Sequence, residues 1–186
     1  MPAGCTAATR PDRRPPTAMS TSPLLQDPLP EGRFEGRQAF AERVRLALAR
    51  AAQAGWSRLV LSDPDFADWP LGERAVIESL NAWAGQGRQL RLLAQDFAPL
   101  RLQHPRFVQW RTTWSHIVEA RAWSTAPTGD LPSAFWTPGW HLERLDLLRS
   151  TGVCGEDPAR RTVLQERIEN AWGRGQSSFP ASVLGL

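Results

Sequence analysis

The chain has 186 residues, 41% apolar side chains and a formal net charge of +3, a length and composition suited to one globular domain with a proper core and not to a disordered or fibrous chain. All 22 basic residues are arginine and there is no tyrosine, which excludes a Schiff-base lysine, a phosphate-loop lysine and a tyrosine nucleophile. Over residues 31–186 the charge is near balance, 19 Arg against 17 Asp and Glu; no block of like charge marks a nucleic-acid tract, so nucleic acid is not the expected partner.

The joint abundance of Arg, Ala, Pro, Gly and Trp is what a GC-rich bacterial genome produces. Residues 1–31 read as a disordered leader: the first thirty positions hold seven of the sixteen prolines and no aromatic residue, too little apolar surface to offset chain entropy. Met19, followed by STSPLL, offers a second start of translation. No apolar run reaches the length of a secretory signal or a membrane span, so the expected location is the cytoplasm, away from any membrane. Two cysteines, Cys5 and Cys154, build neither a disulfide framework nor a zinc cluster.

Residues 32–186 read as a single domain. From Gln38 to Ala54 the apolar residues Phe40, Val44, Ala47, Leu48 and Ala51 recur at helical spacing until Gly55, which predicts an amphipathic helix. RLVLS, residues 58–62, predicts a buried strand. DPDFADWP follows as a loop, with Asp68 placed to cap a helix over 71–84 whose stripe is Val76, Leu80 and Trp83. RQLRLLA, residues 88–94, predicts a second strand, and QDFAPLRLQHP a connection. FVQWRTTW carries Phe107, Trp110 and Trp114 on one helical face, and HIVEARAW alternates as a third strand. AFWTPGWHLERLDLL predicts a β-hairpin around Pro-Gly, TGVCGED a flexible segment, and Asp157-Pro158 the start of a helix to Trp172. The apolar tail, residues 176–186, is suited to dock on its own body or on another copy of the chain. Helices alternating with strands predict an α/β fold with a mixed, partly parallel sheet flanked by helices.

Two groups of residues could carry chemistry. Asp63, Asp65 and Asp96 follow predicted strands, at the sheet edge where α/β proteins hold ligands, and together they would suit a metal-assisted phosphoester hydrolase. The Asp-x-Asp of LVLSDPDFAD also matches the way haloacid-dehalogenase-type phosphatases present a nucleophile, but Ala67 stands where a hydroxyl is usual and the later lysine is missing. The stretch HPRFVQWRTTWSHIVEARAW, residues 104–123, supplies the ligand-binding candidates His104, Arg111, His116, Glu119 and Arg121. Charged residues at alternate positions of an inner strand form either a buried Glu119–Arg121 pair or a polar pocket floor, and arginines with a histidine make an anion or phosphate pocket.

The element order, opened by QAFAERVRLALARAAQAGWSRLVLSDPDF and continued by RQLRLLA, resembles one half-unit of the phospholipase D superfamily over residues 36–172. That family's His-x-Lys, followed four residues later by Asp, should fall on the hairpin. Here Glu143 takes the lysine position after His141, and Leu148 takes the aspartate position. The resemblance therefore implies the fold of a degenerate phospholipase-D-like domain without its phosphohistidine chemistry, and no active-site residue carries over. The expectation is a non-catalytic binding or interaction module without a cofactor, whose partner is a protein or a phosphorylated ligand and whose excess of Trp and Arg suits interface hot spots.

Overall fold

The computed structural model describes residues 28–85, 87–127 and 129–181. In chain order the elements are β1 (Gly32–Phe34), α1 (Arg37–Ala54), β2 (Arg58–Ser62), α2 (Arg74–Trp83), β3 (Gln89–Ala94), α3 (Ala98–Gln103), α4 (Pro105–Thr113), β4 (Val118–Ala122), β5 (Ser133–Trp136), β6 (His141–Asp146), β7 (Thr151–Gly155), α5 (Pro158–Arg174) and β8 (Gln176–Ser177). The strands form one eight-stranded sheet in the order β1-β7-β6-β5-β2-β3-β4-β8. Strands β2, β3 and β4 run parallel, and every other pairing is antiparallel. The fold is α/β with a mixed, partly parallel sheet flanked by helices.

Strand periodicity assigns the layers. Leu59 and Leu61 of β2, with Leu90 and Leu92 of β3, share one buried cluster with Phe40, Val44 and Leu48 of α1, Leu80 of α2 and Phe107 of α4. The intervening Val60 faces the other way and packs with Trp136 of β5 and with Leu164 and Ile168 of α5. Helices α1 to α4 thus cover one face of the sheet and α5 the other, and the central strands read as near-continuous apolar runs because both faces are dry.

The helix over 38–54, the strand over 58–62, the hairpin around Pro-Gly and the helix opened by Asp157 form as the pattern predicts, and Asp157 caps α5 by accepting a hydrogen bond from the Ala159 amide at 2.9 Å. Other segments differ. The connection 95–105 contains α3. The segment around Cys154, expected to be flexible, is β7, held between β6 and β1. Gly152 is required there, because a Cβ would stand 2.1 Å from the Glu143 carbonyl oxygen of the neighbouring strand. Asp68 does not cap a helix: α2 begins at Arg74 with no side-chain cap, and Asp68 pairs with arginines instead. His116 lies in a 3₁₀ turn, Ser115–Ile117, ahead of β4.

The leader predicted over residues 1–31 lies outside the described residues up to residue 27, but its last part belongs to the body. Leu29 is buried, and the Pro30 carbonyl accepts hydrogen bonds from Trp140 Nε1 and Cys154 Sγ. At the other end the tail docks through Phe179, 1% exposed, while residues 182–186 lie outside the described residues.

Candidate anion-binding cleft

The two groups of candidate residues have different fates. Asp63 directly follows β2 at the centre of the sheet and is fully engaged. Its Oδ1 accepts from the amides of Asp65 (3.2 Å) and Phe66 (2.8 Å), and its Oδ2 accepts from Ser133 Oγ and from Arg144 Nη2 (2.6 Å). Arg144 in turn donates through Nε to Ser133 Oγ at 2.8 Å, approaches Asp68 at 3.4 Å and lies over the Phe40 ring at 4.3 Å. The arrangement compensates a buried carboxylate with a forked guanidinium and two amides. Asp65 and Asp96 cap their own loops, accepting from the amides of Ala67 and Ala98. Among the described residues no group of three or more His, Cys, Asp or Glu side chains is placed to hold a metal ion. The expected convergence of Asp63, Asp65 and Asp96 is therefore not found; each carboxylate satisfies local backbone donors instead.

The second group is divided by the fold. His104, at the junction of α3 and α4, is buried and donates through Nε2 to the Phe66 carbonyl at 3.0 Å, tying that junction to the loop after β2. It is a structural histidine, packed so closely that a Cβ on Gly72 would lie 3.0 Å from its Nδ1. His116 is exposed, its ring 5.8 Å from that of Trp114. Neither histidine joins Arg111, because a short 3₁₀ turn in place of strand turns His116 outward.

Arg111, Glu119 and Arg121 do come together. They line a cleft of about 540 Å³ with Trp172, Ser177 and Ser178, at the β4 edge of the sheet. Four consecutive residues of β4, 118–121, contribute to its wall. Successive side chains of a strand point to opposite faces, so the cleft opens on the edge of the strand and spans both faces of the sheet. The edge is reachable because β8 covers only Arg121 and Ala122. Beyond a last bond from the Ser178 amide to the Ala120 carbonyl, the chain turns away at Phe179 (φ 49°) and crosses to α4, where Thr112 Oγ1 donates to the Ala181 carbonyl.

Of the two alternatives for the strand's charges, a buried Glu119–Arg121 pair or a polar pocket floor, the pair does not form. Glu119 leans toward its register partner Arg91, 3.8 Å away, and accepts weakly from Gln89. Arg121 donates to the Trp172 carbonyl at 2.9 Å and lies over the Trp172 ring at 4.9 Å, opposed by Arg91 at the same distance. Gly175 admits this approach, since a Cβ there would stand 3.1 Å from Arg121 Cβ.

Arg111 is the exceptional residue. It is 6% exposed, and its Nε and Nη1 are sealed from solvent without a hydrogen-bond partner. Among the described residues no carboxylate or carbonyl partners its guanidinium, which lies over the Phe179 ring at 5.1 Å. Arg101 lies over the same ring at 5.1 Å. Burial, reinforced by the nearby Arg101 charge, pulls the Arg111 pKa down from the usual arginine value. An anion in the cleft would feel the positive charge of a largely desolvated guanidinium, and would bond its Nε and Nη1, which are closed off from solvent, only after a local rearrangement.

Sequence reasoning missed Trp172, Ser177 and Ser178, which reach the cleft from the far end of the chain. It also missed Arg144 and Ser133 as partners of Asp63. An inward-pointing arginine two positions from an apolar strand residue was the available signal for Arg144, but nothing in the sequence tied it to Asp63.

No family model matches the chain, and no curated protein matches it. Among solved structures it is similar to TrmBL2, an archaeal chromatin protein described as showing a novel mode of DNA binding, with a TM-score of 0.58 and 13% sequence identity. The similarity covers 86% of this chain and 57% of that one, so this chain spans little more than half the length of its neighbour. A likeness at this identity concerns the fold alone. No helix among the described residues is long and apolar enough to cross a membrane.

Proposed function

We propose that the chain is a non-catalytic binding module, a degenerate phospholipase-D-like unit that captures a phosphate-bearing ligand in the cleft at the edge of β4. The observation that carries this reading is Arg111: a residue 6% exposed, its guanidinium without a counter-ion among the described residues, at the wall of a cleft that also presents Arg121, Ser177 and Ser178. A buried cation without a partner costs several kcal/mol, and a bound anion would remove that cost. The phospholipase-D-like assignment is supported by the order of elements, in which alternating helices and parallel strands lead to a hairpin and a last helix. Binding without turnover is supported by the lining, which offers no imidazole or thiol to move a proton, and by Glu119, which is turned to Arg91. Because the structural neighbour is described as DNA-binding, nucleic acid belongs among the phosphate-bearing partners to be tested.

Titration calorimetry and thermal denaturation with inorganic phosphate and pyrophosphate test the reading. Saturable binding that raises Tm and disappears in Arg111→Met supports it. No binding of either anion by the wild-type chain refutes it, as does turnover of a phosphomonoester or phosphodiester that a single substitution abolishes.

A further inference from the structure

We infer that the cleft is the centre of a nucleic-acid-binding face formed by α3, α4 and the strap 176–181, along which a phosphodiester backbone runs. The inference rests on the proposed anion site and names its partner. Its basis is a segregation of charge that the sequence total conceals. Residues 97–118 contain Arg101, Arg106 and Arg111 and no Asp or Glu, and residues 170–186 contain Arg174 and again no acid. The remaining positions of 31–186 carry 15 arginines against all 17 acidic residues. The fold brings 97–118 together with the described part of the second stretch, 170–181. Phe179 of the strap stacks on Phe97 at 5.0 Å and lies under both Arg101 and Arg111, and Thr112 of α4 donates to the Ala181 carbonyl. A chain near neutrality in its folded part thus gathers Arg101, Arg106 and Arg111 beside the strap, flanked by the exposed acids Asp96, ahead of α3, and Glu119, at the cleft rim 3.8 Å from Arg91.

The rest of that face suits nucleic acid better than a membrane. Gln103, Gln109, Thr112, Thr113 and Ser115 are exposed beside a single exposed large apolar side chain, Leu102 of α3, and such amides and hydroxyls are the neutral groups that bond phosphate and sugar oxygens. The apolar residues of α4 that a lipid-binding helix would turn outward, Phe107 and Trp110, are buried in the core. Arg101 and Arg106 are exposed point contacts, and Arg111 adds a recessed positive charge at the cleft wall.

The experiment is fluorescence anisotropy with labelled 20-mer oligonucleotides, single- and double-stranded, at 50 to 200 mM salt, alongside the phosphate titrations. Three phosphate contacts give a salt slope of about −2.7 and a loss of affinity of ~40-fold across that range on duplex DNA. Arg101→Gln and Arg106→Gln, both at exposed positions, should each flatten the slope by about 0.9, Arg111→Met should weaken binding most, and Arg149→Gln on the β6–β7 turn should change nothing. Oligonucleotide affinity that does not respond to Arg101→Gln and Arg106→Gln overturns the inference. So does equal competition by polyglutamate at matched charge, or stronger binding to phosphatidylserine vesicles than to either oligonucleotide. If pyrophosphate binds and no oligonucleotide does, the face fails while the anion site stands; if neither binds, both fail.

Discussion

Replacing Arg111 by Met should stabilise the protein while abolishing anion binding. Methionine reproduces the length of the arginine stem and its packing while removing the charge. Two opposing effects set the magnitude. The residue is 6% exposed and its guanidinium has no counter-ion among the described residues, a burden of several kcal/mol for a buried ion. Against it stands the contact with Phe179 at 5.1 Å, worth up to about 2 kcal/mol when desolvated. The expected net gain is about 1–2 kcal/mol, or a rise in Tm of roughly 2–8 °C for a domain of this size. Urea and thermal denaturation in a buffer free of phosphate and sulfate measure it, because a bound anion at 100 times its Kd would add about 2.7 kcal/mol to the wild type alone and mask the difference. A loss of 1 kcal/mol or more in Arg111→Met would show that Arg111 holds the fold together, and the argument for an unsatisfied cation awaiting a ligand would fail.

Further expectations concern other sites. Asp63→Asn keeps the acceptor for the Asp65 and Phe66 amides but leaves Arg144 without its buried counter-ion, so urea denaturation should show a loss of about 3–5 kcal/mol. His141, 2% exposed, has its pKa pushed below the ordinary 6.5 by burial. The unfolded chain therefore binds the proton first, stability falls as pH drops below about 6.5, and His141→Gln should make the pH dependence of Tm shallower over that range. Gly152→Ala drives a methyl into the β6 backbone and should cost about 1–3 kcal/mol or more; a Tm within 2 °C of wild type would contradict the register of β6 and β7. Burial pushes the Cys154 thiol up, so peptide mapping after iodoacetamide at pH 8 should find it alkylated far more slowly in the folded protein than in urea.

Much of the fold is legible in the sequence because its signals are local. The stripe of α1, the apolar run of β2 and the Asp-Pro start of α5 are set by periodicity and end chemistry within a few residues. So is the α/β class. Strands β1, β7 and β8 are not legible, being short, glycine-bearing or polar, and they exist through their partners in the sheet.

The candidate site divides the same way. That Arg111, Glu119 and Arg121 lie on neighbouring elements follows from spacing alone. That the histidines leave them, that Glu119 turns to Arg91, and that a strap from the end of the chain supplies Phe179, Ser177 and Ser178 were decided by packing between residues far apart in sequence. The charge count shows most clearly why. A sum over a sequence has no direction, and near balance it argues against a polyanionic partner, whereas a folded chain exposes charge by face. Composition by itself determined that this chain has no lysine or tyrosine chemistry and that two of its segments lack acids. Only the tertiary structure decided that those two segments meet, because their contact is made by a buried phenylalanine, Phe179, packed on Phe97 and near two arginines, and by the Thr112–Ala181 hydrogen bond, between residues far apart in sequence.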